Sequence, residues 1–151
     1  MQIVNAGYGH AGEDLLREIL ERPLFAHFAT ACENGPRVSP VWFLYEDEAL
    51  WIIANEKDSF WKRVRDDPRC ALEIIDFDVS SGRVHHLGMR GYASVLPWEP
   101  GRARRLLQRY LGPEQTRWDA RFFSTAGDYS NCWIRFQPQS VVIRDQSYVP
   151  G

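Results

Sequence analysis

The sequence predicts a mainly β domain with helices, of the α+β class, built as an antiparallel barrel with helices at its ends. Three observations carry this expectation. Short apolar runs rich in β-branched and aromatic residues recur along the chain. Several are joined by tight turn signals, Glu33-Asn34-Gly35-Pro36 and Glu46-Asp47-Glu48 among them, which favour antiparallel pairing. The order of elements is helix, three strands, short helix, two strands, two helical pieces, two strands, with no internal repeat or interdomain linker.

The elements are expected as follows. Residues 1–12 form an N-terminal arm. Their string Gly7-Tyr8-Gly9-His10-Ala11-Gly12 matches a dinucleotide-binding fingerprint in letters only. The preceding strand is weak, and the helix that follows leads into an antiparallel hairpin rather than a parallel crossover. Residues 13–146 form the domain, and 147–151 a tail. Leu15, Leu16, Ile19 and Leu20 give residues 13–22 one apolar helical face, stopped by Pro23. Strands are expected over 24–32, 37–45 and 49–54. Pro40 cannot donate to a ladder, so it marks an edge, a bulge or a ligand-facing gap. Asp58 or Ser59 caps a short helix to Asp66. Strands follow over 69–77 and 83–96, the latter with Gly88 and Gly91 as bends or close backbone approaches. A helix over 97–111 carries an arginine-rich, solvated face and ends at Gly112-Pro113. A second helical piece spans 114–123, and strands over 131–136 and 140–145 close the chain.

Composition narrows the function. The net charge of -2 offers no global attraction for nucleic acid. No apolar run is long enough to cross a bilayer, and the first residues lack the basic and apolar regions of a signal peptide. Three widely spaced cysteines suggest free thiols in a reducing compartment, with the cytoplasm as the default. The six tryptophans raise the prospect of ring stacking or an aromatic interface. No G-x-S-x-G string or cysteine signature supports a nucleophilic hydrolase.

The stretch Asn34–Lys62 reads as two successive hairpins running into a helix start. It would bring an arginine, a backbone edge and a lysine to one neighbourhood. The chain's matching features are the opening helix, the strand ending in Ala29-Thr30, Asn34-Gly35-Pro36-Arg37, Pro40-Val41-Trp42-Phe43, Leu50-Trp51-Ile52, and Lys62 followed by Val64-Arg65-Asp66-Asp67-Pro68-Arg69. Gly91-Tyr92-Ala93 on a long strand completes the set. In this ordered series the chain resembles the pyridoxamine 5'-phosphate oxidase-like family of FMN-binding split barrels, over roughly Leu15 to Val142. The resemblance implies an antiparallel split β-barrel and a homodimer with flavin mononucleotide (FMN) at the subunit interface. Arg37 would bind the phosphate, with Val38, Ser39 and Pro40 along the ring edge and Ile53 and Ala54 on the opposite wall. Ser59 and Lys62 would complete the phosphate site, with Phe60 and Trp61 beside them.

Fixed cations and helix-start N–H groups suit a phosphate, and apolar walls with a few backbone bonds suit a flavin ring. Two departures matter. Ala54 stands where the family often has Thr, and the C-terminal arginine-containing substrate motif is missing, so pyridoxamine phosphate oxidation itself is not expected. His86, in place of a frequent Gln, is a candidate flavin or substrate neighbour. Adjacent histidines point to opposite faces of a strand, so His85 and His86 make a poor joint metal site. Trp98, Trp118, Phe122, Phe123 and Trp133 would either roof a flavin or fill a core. The expected activity is that of an FMN-dependent oxidoreductase acting on a small molecule. The alternatives are a deazaflavin-dependent reductase, a non-catalytic flavin- or haem-binding protein, or a dimer with an empty cleft.

Overall fold

The computed structural model describes residues 2–5 and 12–151. The glycine string lies outside the described residues except for Gly12. The N-terminal arm carries a strand, β1 (Gln2–Asn5), which pairs in parallel with residues 140–143. Helix α1 (Glu13–Glu21) buries Leu15, Leu16, Ile19 and Leu20, as their spacing requires, and ends before Pro23.

The remaining strands are β2 (Ala26–Thr30), β3 (Arg37–Val41), β4 (Leu44–Glu46), β5 (Ala49–Asn55), β6 (Arg69–Asp78), β7 (Arg83–Leu96) and β8 (Asn131–Asp145). They pair in the order β3-β2-β6-β7-β8-β5-β4, antiparallel throughout, with β1 added on β8. This is the mainly antiparallel sheet of a split barrel. Helix α2 (Phe60–Asp66) follows β5, and α3 (Pro100–Leu111) follows β7.

The expected single strand over 37–45 is two strands. β3 and β4 lie at opposite ends of the sheet, yet only Trp42 and Phe43 separate them in the chain. Those two residues carry the backbone across the seam of the barrel. Phe43 is fully buried. Its amide donates to the Tyr110 hydroxyl at 3.0 Å, and that hydroxyl donates to the Leu24 carbonyl at 2.7 Å. Pro40 stands on β3, an edge strand that pairs only with β2, where its missing N–H costs least. The turn after β4 uses Asp47 and Glu48 at φ 54° and 57°, the left-handed pair of a type I′ hairpin.

The two expected closing strands are one. β8 runs unbroken because an irregularity opposite Arg90 and Gly91 absorbs Gln139. Gly91 is needed there, since a Cβ would fall 2.1 Å from the Gln137 carbonyl oxygen. Gly88 is different: an added Cβ would meet only the His86 ring, at 3.9 Å.

Two cores result. The barrel interior joins α1 to residues such as Phe28, Ile52, Leu72 and Phe136. A second cluster packs Ala103, Leu106 and Leu107 of α3 against Trp51, Trp118 and Trp133. The α3 helix begins at Pro100, with Glu99 capping the amides of Gly101 and Arg102 at 2.6 and 2.8 Å. Its arginine face is not simply solvated. Arg102 and Arg105 both reach Glu46 at 2.7 Å, and Arg102 lies 3.5 Å over the Trp51 ring. Arg109 donates to the carbonyls of Leu20 and Glu21 at the end of α1. Residues 114–123 form two 3₁₀ turns, Gln115–Arg117 and Ala120–Phe122, rather than a helix.

Candidate functional site

The register of β3 gives the faces of the expected site residues. Residues directly opposite in an antiparallel ladder share a face of the sheet. Arg37, itself exposed, is opposite the buried Thr30, and the half-buried Ser39 is opposite the buried Phe28. Val38 is opposite Ala29 and Pro40 opposite His27, on the outer side. Val38 and Pro40 thus share the outer side, yet Val38 lines one cleft and Pro40, next to the Trp42-Phe43 crossing, lines another.

The first surface is a cleft of about 320 Å³ at the barrel seam, lined by Pro40, Val41, Trp42, Ile52, Ile53, Phe60, Leu106, Leu107, Phe122 and Thr125. Of the expected residues it unites Pro40, Ile53 and Phe60. Its walls are almost entirely apolar. Trp42 is held rigid by stacking on Tyr110, with centroids 4.5 Å apart and planes 2° from parallel, and on Phe122 at 5.7 Å. Because β3 is an edge strand, alternate backbone groups along it face away from β2, toward whatever occupies its open side.

The second surface is a cleft of about 650 Å³ on the outer face of the sheet, lined by His27, Ala29, Val38, Ala71, Glu73, His86, Arg90, Ser140 and Arg144 among others. It takes Val38 and His86. The His86 ring is bracketed by Glu73 at 3.3 Å on Nε2 and Arg144 at 3.3 Å on Nδ1. His85 points the other way, buried, 3.8 Å from Asp145, so the two histidines do not meet. Among the described residues no group of three His, Cys, Asp or Glu side chains is placed to hold a metal.

The other expected residues line neither cleft. Ala54 is buried in the barrel core. Ser59 stands before α2, but its hydroxyl caps no amide; it accepts from Arg63 at 2.7 Å. Asp58 turns back to accept from the Asn55 amide at 2.7 Å. Lys62 is exposed, its ammonium 5.6 Å from the centroid of the Trp61 ring. Of the weighed aromatics, Phe122 lines the seam cleft. Trp118 and Trp133 fill the second core, Trp98 stacks on Trp133 at 4.9 Å, and Phe123 is exposed. Sequence reasoning missed Leu106 and Leu107, which arrive from a helix more than fifty positions beyond β5. Cys70 offers no nucleophile, since burial pushes its thiol up to about 12.

A split barrel with an apolar, ring-sized cleft at its seam is the class that fold and site define. The chain belongs to the pyridoxamine 5'-phosphate oxidase family, whose model matches residues 13–141. No curated protein matches it. Among solved structures, the conserved hypothetical protein Rv2991 from Mycobacterium tuberculosis is similar at TM-score 0.72 and 18% identity, over 90% of this chain and 86% of that one. An F420 reductase is similar at TM-score 0.64 and 27% identity, over 83% and 94%. HutZ, the haem storage protein from Vibrio cholerae, is similar at TM-score 0.65 and 15% identity, over 92% and 94%.

Proposed function

We propose that the protein is a homodimeric, FMN-dependent oxidoreductase acting on a small molecule in the cytoplasm, with the flavin ring in the seam cleft. The observation that carries this reading is the cleft itself. An edge strand's backbone runs along one side of it, and apolar side chains from β5, α2, α3 and the 3₁₀ turns form the rest. A flat, largely apolar ring needs such walls, and its polar edge needs backbone partners. A bound flavin supplies hydride or electron transfer. Pro40 and Ile53 would lie against the ring, Phe60 and Phe122 would exclude water, and the open edge of β3 would orient it. In a homodimer the outer sheet face of one protomer, with His86 and Val38, would complete the cleft of the other.

The second reading is a deazaflavin in the same cleft, favoured by the 27% identity with an F420 reductase. A haem held through His86 has less support, because both ring nitrogens already face Glu73 and Arg144. Titration of the purified protein with FMN and with F420, followed by absorbance and fluorescence, tests the reading. The expected result is near-stoichiometric saturation by FMN in preference to F420. Saturation by F420 alone selects the second reading, and saturation by neither overturns both.

A further inference from the structure

We propose that the outer cleft binds a small organic carboxylate with an apolar body, held by Arg90 and Arg144 on either side of Gly88. The site itself requires no flavin; that the carboxylate is the substrate rests on the reading that this face completes the seam cleft of a second protomer.

The register of the strands builds the hollow. Ala29, Ala71 and Arg90 lie in one row across β2, β6 and β7, and Ser140 of β8 is opposite Arg90. In the next outward row, Gly88 is opposite Glu73 and Val142. In the row after that, His86 is opposite Arg144. Residues two apart on a strand share a face, and the intervening Leu87 and Met89 are buried inward. Small residues at Ala29, Ala71 and Gly88 leave the cleft of about 650 Å³, a size that suits a small molecule. The backbone does not impose the glycine at 88. It lies outside the left-handed region, and an added Cβ would meet only the His86 ring, at an ordinary 3.9 Å. Its missing side chain is open floor.

The charges around that floor favour an anion. Among the described residues Glu73 is the only carboxylate lining the cleft, and it is engaged by His86 Nε2 at 3.3 Å. A guanidinium only donates, so the 3.3 Å contact from Arg144 makes His86 Nδ1 the acceptor. The ring proton is then on Nε2, where it donates to Glu73. Glu73 orients His86, and His86 as a positioning residue orients Arg144. Neither Arg144 nor Arg90 has a carboxylate within ion-pair distance among the described residues. Two guanidinium groups outweigh one carboxylate, so the cleft is cationic. Gly88 stands two residues, about 7 Å, from the level of each arginine along the strands, a distance an extended arginine side chain spans. The planar fork of a guanidinium matches a carboxylate.

The apolar body has its own place. Arg90 also borders a hollow of about 420 Å³ that shares Ala29 and Ala71 with the outer cleft and adds Ala31, Pro36 and Tyr92. Arg69 at its rim is already paired with Asp67 at 2.7 Å. The two hollows meet at Arg90, so a molecule with its carboxylate over Gly88 finds a mainly apolar trough for the rest of its length.

Calorimetric titration of the purified protein with hydrocinnamate and with its neutral amide, hydrocinnamamide, tests the site. R144Q is expected to weaken the acid by about tenfold or more and the amide by less than about twofold, as for loss of a charged hydrogen-bond pair. R90Q should act in the same direction and more weakly, since Arg90 is exposed. H86F, which releases Arg144, should give a smaller carboxylate-selective loss, and H86N, which keeps an acceptor, should recover part of it. R104Q, an exposed arginine on α3, should change neither ligand. Equal losses for acid and amide in R144Q, a matching loss in R104Q, or no saturable binding of the acid by the wild type would each overturn the site. Titration of the same preparation with FMN and F420 keeps the two readings apart. Carboxylate binding without flavin or deazaflavin binding sustains the site and overturns the cofactor reading; cofactor binding without carboxylate binding does the reverse. With both bound, the acid is expected to perturb the cofactor's absorbance, and an unperturbed spectrum would overturn its place beside the ring.

Discussion

The seam cleft and the outer sheet face are built from the same strand and have opposite chemistry. At the seam, β3 turns across the barrel and meets β5, α2 and α3, and nearly every lining group is apolar. On the outer face, the alternate residues of β2, β6, β7 and β8 set His27, Glu73, His86, Arg90 and Arg144 around small residues such as Ala29 and Ala71. The first is shaped to exclude water from a ring. The second is shaped to orient polar groups or meet another surface. One strand supplies both by position along its length: Val38 goes to the outer face, and Pro40, next to the crossing, goes to the seam.

The sharpest way to break this comparison is to put a charge into the seam. Ile53→Asp should lower flavin affinity by about 100-fold or more, since an unpaired buried carboxylate costs several kcal/mol. Equilibrium titration checks it, with circular dichroism to confirm the fold. His86→Ala should cost about tenfold, the loss of a single contact from the second sheet face of the proposed dimer. An unchanged affinity in the same titration would confine the cofactor to the seam. Tyr110→Phe removes the hydroxyl that joins Phe43 and Leu24 across the seam. It should destabilise the fold by about 1–2 kcal/mol in urea denaturation, leaving buried backbone groups unpaired.

The smallest effect belongs to Glu46. Its hydrogen bond from Arg105, more than that from Arg102, outweighs burial and holds the carboxyl below its usual range. A folded-state pKa lowered in this way gives stability that is full above the ordinary carboxylate range and is lost as pH falls through the lowered value. Wild type and Glu46→Gln should therefore differ most near neutral pH and converge in acid, as read by urea midpoints against pH.

Much of the fold was legible because it rests on local signals. The α1 stripe, the Asn34-Gly35 turn and the edge position of Pro40 all follow from near neighbours in the chain. The break at Trp42-Phe43 was not legible, because an apolar run across a seam looks like a continuous strand. The unbroken β8 was missed for the opposite reason: Pro138 looks like a stop, and only the irregularity opposite Gly91 lets the ladder pass it. Pro40, Ile53 and Phe60, which line one cleft, all come from the single stretch Asn34–Lys62. Arg37 and Ser39 line neither cleft, and Lys62 stands exposed on α2. The α3 wall could not be read locally, since tertiary packing alone brings Leu106 and Leu107 to β5.

A crystal structure of the protein soaked with FMN is the most direct test of the seam cleft as the ring site. Density for the tricyclic ring between Pro40 and Ile53, with Phe60 beside it, is the expected result. A ring bound elsewhere with the seam cleft empty would contradict the account.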